Sequence, residues 1–144
     1  MKNSKKIAII VSTFYKEINK TLLDSAYSIL IKNGISKNKL DILYVPGSFE
    51  LPFACSHIAR LKKYHAILTI GCVIKGETEN FKYISNAIAK GIMKVSLDFN
   101  IPIIYGVLTT YNKKEAWIRV NPLKKNKGKE LAKALIGILN FTKY

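Results

Sequence analysis

Ala66-Ile67-Leu68-Thr69-Ile70-Gly71-Cys72-Val73-Ile74-Lys75-Gly76-Glu77-Thr78-Glu79-Asn80-Phe81-Lys82-Tyr83 is the stretch whose reading decides the fold. From Ala66 to Ile74 the residues are apolar or small without alternation, the pattern of a strand buried on both faces. Gly76 marks a turn. From Asn80 to about Phe99, Ile84, Ala87, Ile88, Gly91, Ile92 and Val95 fall on one helical stripe. A buried strand that turns at a glycine into a helix is half of a βαβ unit. Such a junction can offer backbone N–H groups and a helix N-terminus to an anion, although many such junctions hold no ligand.

The same alternation extends outward in both directions. Lys6-Ile7-Ala8-Ile9-Ile10-Val11 predicts a buried strand, and Ile18, Leu22, Leu23, Ala26, Ile29 and Leu30 a helix over 17–33 that Gly34 closes. Leu40 to Val45 predicts a strand stopped by Pro46-Gly47. A helix follows from Ser48 or Phe49 to about Lys62, with Pro52 tolerated in its first turn. Downstream, Ile101–Thr109 predicts a fourth strand. Asn112-Lys113-Lys114-Glu115 has the form of a capping box that opens a short helix, broken by Asn121-Pro122. A last helix runs from about Asn126 to Asn140. The order βαβαβαβ with two closing helices predicts a parallel sheet covered on both faces. Right-handed crossovers make it a three-layer αβα sandwich of the flavodoxin-like kind, with four parallel strands. Residues 1–144 read as one domain, with 1–5 a tail. Ligands of such sheets bind outside the carboxyl ends of the strands. Here those ends are Ser12–Tyr15, Pro46–Glu50, Gly71–Thr78 and Tyr105–Thr110.

Composition narrows the function. Hydrophobic residues make up 49% of the 144, enough for a core, and no apolar run has the length of a membrane span. Ile7–Val11 is too short for a signal-peptide core, so the cytoplasm is the expected compartment. In a reducing compartment Cys55 and Cys72 are expected as buried thiols, and two cysteines without clustered histidines make no metal site. The net charge is +15, from 24 Lys+Arg against 9 Asp+Glu. It is nearly all lysine and dispersed, which argues for a solvated face rather than nucleic acid as the main partner.

The strand ends carry the unusual residues. Phe14 lies just past a buried strand, where it either stacks on a flat heterocycle or plugs the sheet edge. At Pro46-Gly47-Ser48-Phe49-Glu50-Leu51-Pro52, Ser48 and Glu50 supply a hydroxyl and a carboxylate at a helix start, as ligand groups, as an N-cap with a dipole-compatible acid, or as both. Gly76-Glu77-Thr78 suits a phosphate, but neither G-x-x-x-x-G-K-[ST] nor G-x-G-x-x-G is present. His65 precedes the third strand, at the wrong end of the sheet. His57 lies inside a helix as a packing or surface residue.

Val45-Pro46-Gly47-Ser48-Phe49-Glu50-Leu51-Pro52, then Gly71-Cys72-Val73-Ile74-Lys75-Gly76-Glu77-Thr78, then Ile103-Ile104-Tyr105-Gly106-Val107-Leu108-Thr109-Thr110, then Asn126-Lys127-Gly128 resemble, in order, the motifs of the lumazine synthase family. The resemblance spans Ile7 to about Asn140. It implies condensation of a ribityl-aminouracil with 3,4-dihydroxy-2-butanone 4-phosphate through an imine, phosphate elimination and ring closure, with no cofactor and no metal. It assigns Phe14 to stacking on the pyrimidine ring. Ser48, Phe49 and Glu50 are assigned to the ribityl chain, and Cys72, Val73 and Ile74 to the uracil through backbone groups. Glu77, Thr78 and Arg119 are assigned to the phosphate, with Lys127 close by; outside that context Arg119 reads as a surface arginine ending a short helix. Tyr105, where the family has Phe, is assigned to a neighbouring subunit's site. The implied assembly is a pentamer with sites between subunits, which in some members closes into an icosahedral capsid of sixty subunits, and riboflavin synthase is an implied associate. The uninterrupted link between the last two helices favours the capsid form.

Two departures bear on the chemistry. The family string G-E-T-x-H-[FY]-[DE]-Y reads here Gly76-Glu77-Thr78-Glu79-Asn80-Phe81-Lys82-Tyr83, so Asn80 stands at the proton-transferring histidine and Lys82 at the acid. Asparagine cannot act as a general acid or base near neutral pH. Asn121-Pro122-Leu123-Lys124-Lys125 also differs from the family's A/G-G-T-K-A-G. The expectation is an active but slower enzyme. Rival readings are an archaeal-type riboflavin synthase, a catalytically weak shell or scaffold of the same fold, and compositional drift toward Lys, Asn and Ile that carries Asn80 with it.

Overall fold

A computed structural model describes residues 5–76 and 80–144. The strands are β1 (Ile7–Ser12), β2 (Leu40–Val45), β3 (Ala66–Ile74) and β4 (Ile103–Thr110). The helices are α1 (Lys16–Lys32), α2 (Leu51–Arg60), α3 (Asn80–Phe99), α4 (Lys113–Val120) and α5 (Lys127–Phe141). All strand pairs are parallel, in the order β2-β1-β3-β4. The chain steps outward from β1 to β2, then crosses back to β3 and β4. Strand order therefore reverses between β1 and β3, and in sheets of this kind ligands bind at the carboxyl ends of the strands at that reversal.

Alternation along each strand feeds two apolar layers. Ile7, Ile9 and Val11 of β1 and Leu68, Ile70 and Cys72 of β3 pack with α1, α4 and α5. Ala8, Ile10, Ile67 and Val107 pack with α2 and α3 through Leu51, Cys55, Ile88 and Ile92. This is the three-layer, flavodoxin-like α/β sandwich that the uniform apolar runs imply. On α3, Ile88, Ile92 and Val95 are buried as the stripe requires, whereas Ala87 is exposed. The crossing of α1 and α5 depends on Gly128. A Cβ there would lie 2.6 Å from Ser25 Cβ and 2.9 Å from Leu22 O, so a side chain would force the helices apart. No helix of the described residues is long and apolar enough to cross a membrane.

Element boundaries move for local reasons. Ser48–Glu50 form a single 3₁₀ turn, and the α-helix starts only at Leu51. It ends at Arg60 because Lys62 takes a left-handed conformation at φ 53°. β4 begins at Ile103 rather than Ile101, since Pro102 has no N–H to give the ladder; its carbonyl still accepts from Ile67 N at 2.9 Å. Asn112 caps α4 by accepting from Glu115 N at 2.8 Å. Glu115 returns its bond to Tyr111 N at 2.9 Å, one residue earlier than in the usual capping box. Asn126 caps α5 in the same way, accepting from Lys129 N at 3.2 Å.

Candidate active site at the carboxyl edge of the sheet

Phe14 is anchored through its backbone. Its N–H donates to Pro46 O at 3.1 Å and to Ser12 Oγ at 3.2 Å, and Thr13 N donates to Val45 O at 2.8 Å. The turn after β1 is thus bonded to the turn after β2. The ring is 62% exposed and meets Tyr15 edge-on at 4.7 Å. A ring this exposed covers little of the sheet edge, so its open face is free to stack.

Ser48 does not act as an N-cap: neither the 3₁₀ turn nor α2 has a side-chain cap bond. Its buried hydroxyl instead crosses to β3, where it accepts from Cys72 N at 3.1 Å and donates to Cys72 O at 3.4 Å. Beyond Val11, β3 has lost the β1 ladder on this side, and Ser48 takes the place of the absent strand. Gly71 makes the approach possible, because a Cβ there would lie 2.4 Å from Ser48 Oγ. Phe49 and Glu50, next in the turn, are exposed at the carboxyl edge of the sheet. Glu50 Oε1 folds back to within 3.0 Å of where a Cβ on Gly47 would stand.

The Cys72 side chain belongs to the core against α1, α4 and α5, and burial pushes its thiol up to about 11, with Arg119 pulling weakly the other way. It is not a thiolate nucleophile. Burial likewise pushes Cys55 up to about 12. Val73 and Ile74 are half-buried at the end of β3. Gly76 follows in the left-handed region at φ 59°. Glu77 and Thr78 lie outside the described residues. Asn80 opens α3 with its side chain exposed, and Lys82 is exposed beside it. The described part of this corner is braced by Tyr111, whose ring lies 6.1 Å from that of Phe81 and 5.6 Å from Lys75 Nζ.

Arg119 reaches the same edge from the last turn of α4. Its Nη1 donates to Thr109 O at 3.4 Å, and Thr109 pairs with Val73. Lys127 is half-buried at the start of α5, with Nζ 3.7 Å from Glu130 Oε1. Tyr105 is not part of this group. It sits opposite Thr69, three residues below Cys72 in the β3 ladder, on the sheet's β4 edge. Burial raises its hydroxyl pKa, with Thr109 opposing. The sequence reading had no signal for the Ser48–Cys72 clamp or for Gly71 as its condition, since neither has a local pattern.

Both histidines are away from the carboxyl edge. His57 is exposed on α2 and stacks on Phe53 at 6.3 Å. His65 lies at the amino end of β3, its Nδ1 accepting from Lys6 N at 3.0 Å. Among the described residues there is no group of three or more His, Cys, Asp or Glu side chains fit to hold a metal. The arrangement at the carboxyl edge offers an exposed aromatic face, a carboxylate, strand-end backbone and a guanidinium: the means to hold a flat polar molecule beside an anion.

The family described as 6,7-dimethyl-8-ribityllumazine synthase matches residues 4–143 of this chain. A relative from Leuconostoc mesenteroides subsp. mesenteroides, itself named 6,7-dimethyl-8-ribityllumazine synthase, is 40% identical over 137 residues, which cover 95% of this chain and 88% of the relative.

Proposed function

The chain belongs to the 6,7-dimethyl-8-ribityllumazine synthase family, and from that premise we propose that it makes 6,7-dimethyl-8-ribityllumazine. The substrates are 5-amino-6-(D-ribitylamino)uracil and 3,4-dihydroxy-2-butanone 4-phosphate. The amine attacks the ketone to give an imine with loss of water, phosphate leaves, and the ring closes with loss of a second water. The observation that carries the reading is the whole-length family match. It is supported by the grouping of Phe14, Ser48, Phe49, Glu50, Cys72, Val73 and Ile74 at the switch point of the sheet. The comparisons favour neither an archaeal-type riboflavin synthase nor an inactive shell.

In this reading Phe14 stacks on the pyrimidine, and the Ser48–Glu50 turn receives the ribityl chain, with Glu50 accepting from its hydroxyls. The end of β3 receives the uracil. Glu77, Thr78 and the Arg119 fork hold the phosphate until it leaves, with Lys127 adding positive charge. Catalysis rests on holding two reactants together, which well-oriented sites exploit more than any single proton transfer. Asn80 donates and accepts hydrogen bonds but moves no proton, so this step falls to water or the substrates themselves. The cytoplasm is the expected site of action.

Exposed Phe49, Phe53, Tyr83, Met93 and Leu97 on the α2–α3 side support contact between subunits. A pentamer in which Tyr105 serves the neighbour's site fits its distance from the proposed site of its own chain. The link from α4 to α5 is short and closed on itself by Asn126 N to Asn121 O at 3.0 Å, which favours closure into the icosahedral capsid. Association with riboflavin synthase belongs to the same reading. Sedimentation velocity measures the assembly directly.

Purified protein supplied with both substrates is expected to form lumazine above the uncatalysed rate; formation at background alone overturns the proposal. Asn80→His is expected to raise kcat, by up to about 10²–10⁴-fold if the imidazole is the only missing part.

A further inference from the structure

Asn19 is fully buried near the start of α1, beside the apolar residues Ile18, Leu22 and Leu23. Its Nδ2 donates to Ser12 O at 3.0 Å and to Phe14 O at 2.8 Å. Its Oδ1 has no partner among the described residues, a cost that a residue present only for packing would not carry. The two amide protons are used, then, on two carbonyls that flank Thr13, and the second belongs to the residue with the exposed ring.

The peptide they hold is not one that would rest there unaided. Tyr15 lies in the left-handed region at φ 56°, unfavourable for a residue with a Cβ, and its carbonyl accepts from Asn19 N at 3.1 Å. Val45 O and Pro46 O hold the turn from the β2 side. Asn19 holds it from α1. The backbone sets where the Phe14 ring starts and which rotamers it can take, and the ring meets Tyr15 of the same turn edge-on at 4.7 Å, so holding this turn confines the ring. A face aimed in advance spares a flat ligand the ordering cost of binding.

We infer that Asn19 is a positioning residue for the heterocyclic substrate: its Nδ2 protons lock the Ser12 and Phe14 carbonyls and so hold the Phe14 ring in its stacking direction. The inference rests on the proposed function and goes beyond it, because Asn19 touches neither substrate.

Asn19→Leu keeps the volume and removes both donors, and Asn19→Asp keeps the shape and leaves at most one, since burial against two carbonyls favours the protonated carboxyl. Each is expected to raise KM for the ribityl-aminouracil by about tenfold, while KM for the butanone phosphate and kcat change by less than about twofold. A purely structural role would lower the melting temperature and leave the two KM values unchanged or shifted together; either result overturns the inference. Should neither variant fold, Asn19→Thr, which keeps one hydroxyl donor, is judged by the same split. If the unsubstituted chain forms no lumazine, the functional reading falls on its own. Hydrogen exchange then decides for Asn19. Faster exchange in the variant confined to the Thr13, Phe14 and Tyr15 amides supports it, and unchanged exchange there overturns it.

Discussion

The two ends of the sheet are both polar and both rich in cations, yet they are built differently. At the amino end the polar side chains satisfy one another. Lys6 Nζ lies 3.4 Å from Asp41, Tyr64 donates to the same carboxylate at 2.6 Å, and Lys6 and Lys63 lie over the Tyr64 ring at 5.8 and 5.5 Å. At the carboxyl end Ser48, Asn19 and one nitrogen of Arg119 are spent on backbone, and Phe14, Phe49 and Glu50 are left exposed. A cleft of about 750 Å³ nevertheless lies at the amino end, between Lys63, His65, Phe99 and Phe141. A pocket of about 570 Å³ near β1's carboxyl end lies between α1 and β2 and is lined by none of the proposed site residues. Size alone would choose the amino end, away from the proposed site. What marks a site is side chains left without internal work, on a backbone made rigid beneath them.

The contrast can be broken most sharply at Gly71. Gly71→Ala puts a methyl 2.4 Å from Ser48 Oγ and 3.2 Å from Leu51 Cδ1, which separates the clamp from β3. The expected loss is about 2–3 kcal/mol, read as a fall of several degrees in melting temperature, with activity lost beyond the fraction unfolded. An unchanged melting temperature would show that Ser48 is not held as described. Next in size, Arg119→Lys keeps the charge but loses the fork. It should lower kcat/KM by about 10–100-fold through KM for the phosphate substrate, with stability unchanged.

At the amino end a smaller effect with no loss of activity is expected. Tyr64→Phe removes the main cause of the lowered Asp41 pKa, with Lys6 the lesser one. Asp41 is a third exposed, so solvent screening holds the effect to about 1 kcal/mol or less. The sign follows from the direction of each shift. The carboxylate's contribution is present above 3.8 and is lost as pH falls through its lowered folded value. Tyr64 itself is pushed up to about 12, first by burial and then by Asp41, so its contribution is present below pH 10 and lost as pH rises toward 12. Denaturant midpoints of Tyr64→Phe and the unsubstituted chain should therefore differ near pH 7 and converge in acid and in strong alkali. A constant difference across that range would mean the hydroxyl acts by packing alone. Smallest of all, Cys55 and Cys72 should resist thiol reagents at pH 8 in the folded protein and react only on unfolding. Prompt labelling of either would contradict their burial.

Much of this was legible in the chain because its signals are local. The β-branched run Ile7–Val11, the helical stripe from Ile84 to Val95 and the capping residue Asn112 each act within a few residues of themselves. Boundaries slipped where a competing local effect was stronger, as at Pro102 and at Lys62. At the site, the types and order of Phe14, Ser48–Glu50, Cys72–Ile74 and Arg119 were visible as strand-end residues carrying a family's motifs. Their contacts within the fold are not visible there. Of the two uses open to Ser48, ligand group and N-cap, the structure shows no cap, and its hydroxyl bonds the Cys72 backbone; Asn19 carries no local signal.

By itself, then, the sequence determined the alternation of strands and helices, the strand ends that carry the motif residues and the absence of an imidazole at position 80. Periodicity, turn chemistry and residue identity do not depend on what lies across the molecule. Only the tertiary structure decided that Ser48 bonds to a residue 24 positions away, that Gly71 and Gly128 must lack a side chain, and that a buried amide on α1 bonds the carbonyl of the residue with the exposed ring. Those facts depend on which backbone groups the fold leaves unpaired and how closely it packs them, and neither quantity is written in any short stretch of the chain.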